Sequence, residues 1–73
     1  MKISLSRHAR NRNRRVKATI FQIADCIENP DSHYAQENGR EVAIKALGKK
    51  LLKIFFRQSL SEYEIITIID RNQ

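Results

Sequence analysis

A strongly cationic segment at residues 7–17 is the feature that most limits how this chain can fold. It carries six arginine or lysine side chains in eleven residues, and no acidic residue precedes Asp25. Its only apolar side chains are Ala9 and Val16. Such a segment cannot form a hydrophobic core alone, so the rest of the chain must supply the surface on which it packs. A cationic run without compensating acids is typical of a protein with a polyanionic partner.

Length and charge narrow the class of protein. The 73 residues suit one domain, residues 1–73, and the formal net charge of +6 favours nucleic acid as the anion. We expect no membrane partner, because no apolar run approaches the ~18 residues of a transmembrane helix. A single cysteine permits neither an internal disulfide nor a cysteine metal cluster. We therefore expect a cytoplasmic protein with no metal and no cofactor.

The first helix is predicted over residues 7–15, with Ser6 as its N-cap. At about 100° per residue, four cations fall opposite the apolar stripe. We call these four the cationic ridge: Arg7, Arg10, Arg14 and Lys17. Three further side chains lie at the border between the ridge and the apolar stripe: His8, Arg12 and Arg15. Because no nearby acid compensates the ridge, we interpret it as a binding surface rather than a solvated one.

The second helix begins at a capping box formed by Thr19 and Gln22 and ends before Asn29-Pro30. Apolar residues recur in it at helical spacing, and we expect these to face the core: Ile20, Ile23, Ala24 and Ile27. Its acidic residues face water. We interpret this helix as scaffold.

From residue 32 onward the apolar period changes to two, which predicts strands over residues 32–37, 40–47, 51–57 and 63–70. Turn signals at Asn38-Gly39 and Gly48-Lys49-Lys50 separate the first three. The expected fold class is α+β. The two helices would pack on one face of a three- or four-stranded antiparallel meander.

Alternation assigns the strand residues to the two faces of this sheet. The helix side is predicted to hold Val42, Ile44, Ala46, Leu52, Ile54, Phe56, Ile66 and Ile68. The other side is predicted to hold Ala43, Lys45, Leu47, Leu51, Lys53, Phe55, Arg57, Tyr63, Ile65, Thr67 and Ile69. The second set mixes cations with large apolar groups, as binding surfaces do. A register error of one residue would exchange the two sets.

The order of the motifs resembles a known group of domains. His8-Ala9-Arg10-Asn11-Arg12 opens the first helix, and Glu28-Asn29-Pro30-Asp31 closes the second. This set resembles small bacterial and archaeal domains in which His-Ala-x-x-Arg-Met begins the first helix and Asn-Pro-Asp often closes the second. Those domains look related to the BrnT and RelE-like toxins of toxin–antitoxin modules. Asn13 stands where methionine is usual, and Lys17-Ala18 where glycine and a branched apolar residue are usual.

The resemblance implies metal-independent cleavage of RNA, either free or on the ribosome, and a small antitoxin protein as partner. Chemistry rather than the resemblance selects the residues, since such cleavage needs a base, an acid and cations around the phosphorane. The catalytic candidates are His8, Arg12, Lys45 and Lys53. The RNA-binding candidates are Arg7, Arg10, Arg14, Arg15, Lys17, Arg40, Arg57 and Thr67, with Tyr63 as a further donor.

Each assignment has a structural alternative. His8 can bond a backbone carbonyl, and Arg12 can pair with a carboxylate of the domain, either Glu41, Glu64 or Asp70. Lys45 and Lys53 can form cross-strand pairs with glutamates. Two other functions also stay open. One is a nucleic-acid-binding module without catalysis. The other is an interaction domain whose mixed sheet face forms a homodimer or docks an acidic partner.

Overall fold

The computed structural model describes residues 2–72 as two helices against one sheet. The elements follow in the order β1 (Lys2–Leu5), α1 (Arg7–Val16), α2 (Ile20–Glu28), β2 (Ser32–Ala35), β3 (Glu41–Leu47), β4 (Lys50–Gln58) and β5 (Glu62–Asp70). The strand order is β1-β5-β4-β3-β2, with β1 parallel to β5 and every other neighbour antiparallel. The predicted α+β class is confirmed, as are two N-terminal helices on one face of the sheet.

The sheet has five strands rather than the predicted three or four, and the strand absent from the predicted antiparallel meander is β1. Strand β1 pairs in parallel with the first half of β5, from Lys2 opposite Glu62 to Leu5 opposite Ile65. This makes the sheet five-stranded and mixed. A four-residue segment carries too little alternation to predict a strand, and its partner lies about sixty residues away in the chain.

Helix α1 is held by polar contacts at both of its ends. The Ser6 hydroxyl accepts from the Ala9 backbone N–H at 3.0 Å and donates to the Ile66 carbonyl of β5 at 2.9 Å. The predicted N-cap is therefore confirmed, and it also ties the helix to the sheet. Ala9 and Val16 are the buried residues of α1.

Past the end of α1 the chain turns through Lys17, whose backbone is left-handed with φ of 58°. The Asn13 side chain holds this turn, because its amide accepts from the Ala18 N–H at 2.9 Å and donates to the Ala18 carbonyl at 3.0 Å. Asn13 therefore replaces the apolar anchor expected from the resemblance with a polar clamp.

Helix α2 begins at the predicted capping box, in which Thr19 and Gln22 each bond the other's backbone N–H. Its buried residues are Ile23, Cys26 and Ile27. Ile20, predicted to face the core, is 48% exposed. Cys26 fills the core instead: its thiol lies 3.6 Å from the Ala43 carbonyl oxygen. Burial raises the pKa of Cys26 to about 11, although Lys45 opposes the shift.

The predicted sheet faces of the β3 residues are wrong, because the turn between β3 and β4 contains only two residues. Gly48 and Lys49 form the connection, so Leu47 pairs with Lys50 and Lys45 with Leu52. Paired residues share a face. The helix side of β3 therefore holds Ala43, Lys45 and Leu47, and the opposite side holds Val42, Ile44 and Ala46.

An extra residue in the middle of β5 changes which side chains of this strand face the helices. Ile65 pairs with Phe56 and Thr67 with Phe55, which leaves Ile66 as an extra residue. Tyr63 and Ile65 therefore face the helices, contrary to the prediction. The assignments of Leu52, Ile54, Phe56 and Ile68 to the helix side are confirmed.

Candidate nucleic-acid interface

The cationic ridge lies on the outer side of α1, because Ala9 and Val16 face the sheet. All four of its side chains are exposed. Within residues 2–72, ion pairs join only His33 to Glu41 and Lys45 to Asp25, and no ridge side chain has a hydrogen-bond partner. The ridge is thus a row of uncompensated positive charges along one side of a helix.

The positive charge of the ridge is separated from most of the negative charge in the molecule. Five of the eight acidic residues lie between α2 and the start of β3: Asp25, Glu28, Asp31, Glu37 and Glu41. Helix α1 packs on β5 and β1, whereas α2 packs on β3 and β4. The α1 side is therefore basic and the β2 side is acidic. A polyanion approaching the protein is attracted to one side and repelled from the other.

His8 and Arg12 lie one turn apart, and both side chains are exposed. Neither structural alternative occurs in the part of the chain that is described: His8 has no hydrogen-bond partner, and Arg12 pairs with no carboxylate. Arg12 lines an open groove of about 690 Å³ between α1 and the end of β5. The other residues lining this groove are Arg15, Val16, Lys17, Ile69 and Asp70.

Asp70 in this groove has a structural role. Its side chain is 9% exposed, and its Oδ1 accepts from the backbone N–H groups of Leu51 at 3.1 Å and Asn72 at 3.0 Å. The carboxylate therefore secures the end of β5 against β4. It also leaves the groove with one acid beside three cations.

The structure does not bring Lys45 and Lys53 together, so the predicted pocket containing both is not formed. Lys45 lies on the helix side, where its Nζ donates to the Asn29 carbonyl at 2.6 Å and lies 3.6 Å from the Asp25 carboxylate. It therefore holds the C-terminal end of α2. Lys53 lies on the opposite face, with its Nζ 5.3 Å from the centroid of the Phe55 ring. The prediction placed both lysines on one face because it assigned the β3 residues to the wrong faces of the sheet.

The remaining RNA-binding candidates lie on other parts of the surface. Arg40 is exposed in the connection before β3. Arg57 and Thr67 lie on the sheet face that no helix covers, where Arg57 is opposite Glu64. Tyr63 lies on the helix side with its ring edge against Phe56. Outside α1, the candidates are therefore spread over one connection and both faces of the sheet.

Phe21 was not among the predicted site residues, yet it is 82% exposed in the first turn of α2. The sequence did contain a signal. At about 100° per residue, Phe21 lies on the side of the helix opposite Ile23 and Ile27. A phenylalanine on the polar side of an amphipathic helix is an observation that needs an explanation.

Within the described range, residues 2–72, no group of three or more His, Cys, Asp or Glu side chains is placed to hold a metal ion. Neither helix there is long and apolar enough to cross a membrane. No protein-family model, curated protein or solved structure matches the chain at a significant level. The resemblance to the BrnT and RelE-like toxins stays a prediction.

Proposed function

We propose that this protein binds RNA by holding the sugar-phosphate backbone on the cationic ridge. One observation carries the proposal: four exposed cations share one side of α1, and none has an ion-pair partner within residues 2–72. Like charges three or four residues apart on a helix repel by about 0.2–0.5 kcal/mol per pair. A bound polyanion removes this repulsion, whereas water only screens it.

The length of the ridge suits a nucleic-acid strand. Arg7 and Lys17 are separated by ten residues, which is roughly 15 Å along a helix. Each strand of a duplex places one phosphate about every 3.4 Å along the duplex axis. Each ridge cation therefore has a separate phosphate within reach. The resemblance to RNA-cleaving toxins favours RNA over DNA as the polymer.

Salt dependence of binding tests the proposal. If four phosphates are neutralised, log Kobs should fall with log salt at a slope near −3 for single-stranded RNA. Replacing all four ridge residues by glutamine lowers the net charge from +6 to +2. We expect this variant to lose most of the slope and at least about tenfold in affinity at low salt.

A matched control separates the ridge from net charge alone. Four cations outside α1 that are not RNA-binding candidates, Lys2, Lys49, Lys50 and Arg71, are replaced by glutamine, which again gives +2. This control should keep a slope close to that of the parent. Equal losses in the two variants would mean that RNA senses overall charge, and the ridge would lose its assigned role.

Cleavage of the bound RNA is a second candidate, favoured by the exposed pair His8 and Arg12 beside the cationic groove. An imidazole can transfer protons near neutral pH, and a guanidinium can hold the scissile phosphate. Products with cyclic phosphate ends should then form in the presence of a chelator. His8→Asn should abolish them, whereas His33→Asn should not, because His33 lies in the β2 strand paired with Glu41. Binding without products would exclude this candidate. A small antitoxin is the partner that it implies.

A further inference from the structure

We infer that Phe21 stacks on an unpaired nucleobase and thereby makes the cationic ridge selective for single-stranded over duplex RNA. This inference rests on the proposed function and names its substrate class. The residue is conspicuous because its ring is 82% exposed, although Ile23 and Ile27 of the same helix are buried. Its neighbour Ile20 is 48% exposed and lies in the same turn.

Phe21 is held close to the end of the ridge. It follows Lys17 by four residues, so their Cα atoms are at most about 14 Å apart. The intervening link is constrained, since Asn13 bonds both backbone groups of Ala18 and Thr19 caps α2. The ring is therefore held within reach of a strand that leaves the ridge at Lys17, at the end of α2 that precedes Asp25 and Glu28.

An aromatic ring beside a row of cations is the arrangement by which proteins bind single strands. Phosphates follow the cations while exposed bases stack on the ring, and any base can do so. In a duplex the bases are already stacked on each other and paired, so the ring gains nothing. The same phosphate contacts are available in both cases. Phe21 should thus affect single strands alone.

A membrane surface and a protein with an apolar pocket are two other possible partners for a surface with cations and an exposed ring, and both fit the structure less well. A membrane-surface helix presents a continuous apolar face, whereas the outer side of α1 carries the ridge, and the apolar residues Ala9 and Val16 are buried. A protein partner with an apolar pocket would accept leucine in place of phenylalanine, because such a pocket binds an apolar side chain of similar volume. Stacking requires the flat ring. Phe21→Leu therefore distinguishes stacking on a base from binding in an apolar pocket.

Fluorescence anisotropy with a single-stranded RNA and a blunt-ended, fully paired RNA duplex of equal phosphate number tests the inference. Phe21→Leu should weaken single-strand binding by roughly tenfold and leave duplex binding unchanged. Its salt slope should match that of the parent, since no cation is lost. Phe21→Trp should keep the preference. Leu60→Ala, at a position 105% exposed on the β4–β5 loop, is the control that should change neither affinity.

A 2-aminopurine base in the single strand gives an independent reading, because stacking on a ring quenches its fluorescence. Quenching is expected with the parent and with Phe21→Trp, and its loss is expected with Phe21→Leu. Parent-like single-strand affinity of Phe21→Leu would overturn the inference, as would an equal loss for the duplex. Tighter binding of the parent to anionic lipid vesicles than to RNA would overturn it too. If the ridge variant still binds RNA as the parent does, the proposed function fails instead.

Discussion

Helix α1 buries two of its ten residues, Ala9 and Val16, whereas α2 buries three of its nine, Ile23, Cys26 and Ile27. Both helices lie on the same face of the sheet. They differ more in what they expose. The segment from Arg7 to Lys17 exposes cations without a single acid, while α2 carries Asp25 and Glu28 and no cation.

Their attachments to the rest of the molecule differ as well. Helix α2 is held by apolar burial and by Lys45, which bonds its C-terminal carbonyl at Asn29. Helix α1 packs on β5 and β1 through Ala9 and Val16, and two polar side chains near its ends, Ser6 and Asn13, add hydrogen bonds. These end bonds add to the packing of Ala9 and Val16 on the sheet and leave the outer side of α1 free to carry the ridge. A helix with only two buried residues can therefore carry a row of like charges, because its inner side and its end bonds hold it on the sheet.

The largest effect should come from truncating the core side of α2. Ile23→Ala should lower the free energy of unfolding by about 2–5 kcal/mol. Ile23 is only 1% exposed, so removing its side chain leaves a cavity in the core. Ile20→Ala makes the same chemical change in the same helix at a half-exposed position and should cost far less. Urea unfolding measures both. Similar losses at the two positions would contradict the orientation of α2.

Polyanion binding should stabilise the protein through α1. A short single-stranded RNA at about 100 times its Kd should add roughly 2.7 kcal/mol to the free energy of unfolding. Thermal unfolding with and without RNA measures this as a rise in Tm. The variant with four ridge glutamines should show little rise. A rise of equal size in that variant would place the bound RNA elsewhere on the protein.

Alkaline pH should affect α2 through its buried thiol. Burial raises the pKa of Cys26 from 9.0 to about 11. The unfolded chain releases this proton first, so the thiol's contribution is complete below pH 9 and is lost as pH rises from 9 to 11. The loss is on the order of 2 kcal/mol. It is measured as the difference between the parent and Cys26→Ala in denaturant unfolding across that range. Parallel curves would show that the thiol titrates normally in the fold.

The polar clamp of α1 should give the smallest effect. Asn13→Ala removes both bonds to Ala18 and should cost roughly 1–2 kcal/mol. Asn11→Ala is the matched control, because Asn11 is exposed on the same helix and has no such bonds; its cost should stay within about 0.5 kcal/mol. Urea unfolding compares the two. Equal stabilities would mean that the link after α1 is held by Val16 and Ala18 alone.

The local features of both helices could be predicted from the chain. Ser6 as N-cap and the Thr19–Gln22 capping box were correct, because their bonds within each helix span only three residues. The outward position of the ridge follows from helical spacing and two small buried residues. The same reasoning applied to Phe21 would have found it, since its position opposite Ile23 is equally local.

Contacts between strands were harder to predict. The positions of β3, β4 and β5 along the chain were close to the predicted segments. Their faces were not, because a two-residue turn at Gly48-Lys49 and one extra residue at Ile66 each change the phase of a strand. The separation of Lys45 from Lys53 is a consequence of that phase.

By itself, the amino-acid sequence determined where the helices begin and end and that one of them exposes a cationic row, since both depend on contacts within a few residues. Only the tertiary structure decided the parallel pairing of β1, the face that each strand residue occupies and the position of Lys45 beneath α2. The reason is physical: strand side chains alternate every residue, so a shift of one position, set by distant pairing, moves a side chain to the other side of the sheet.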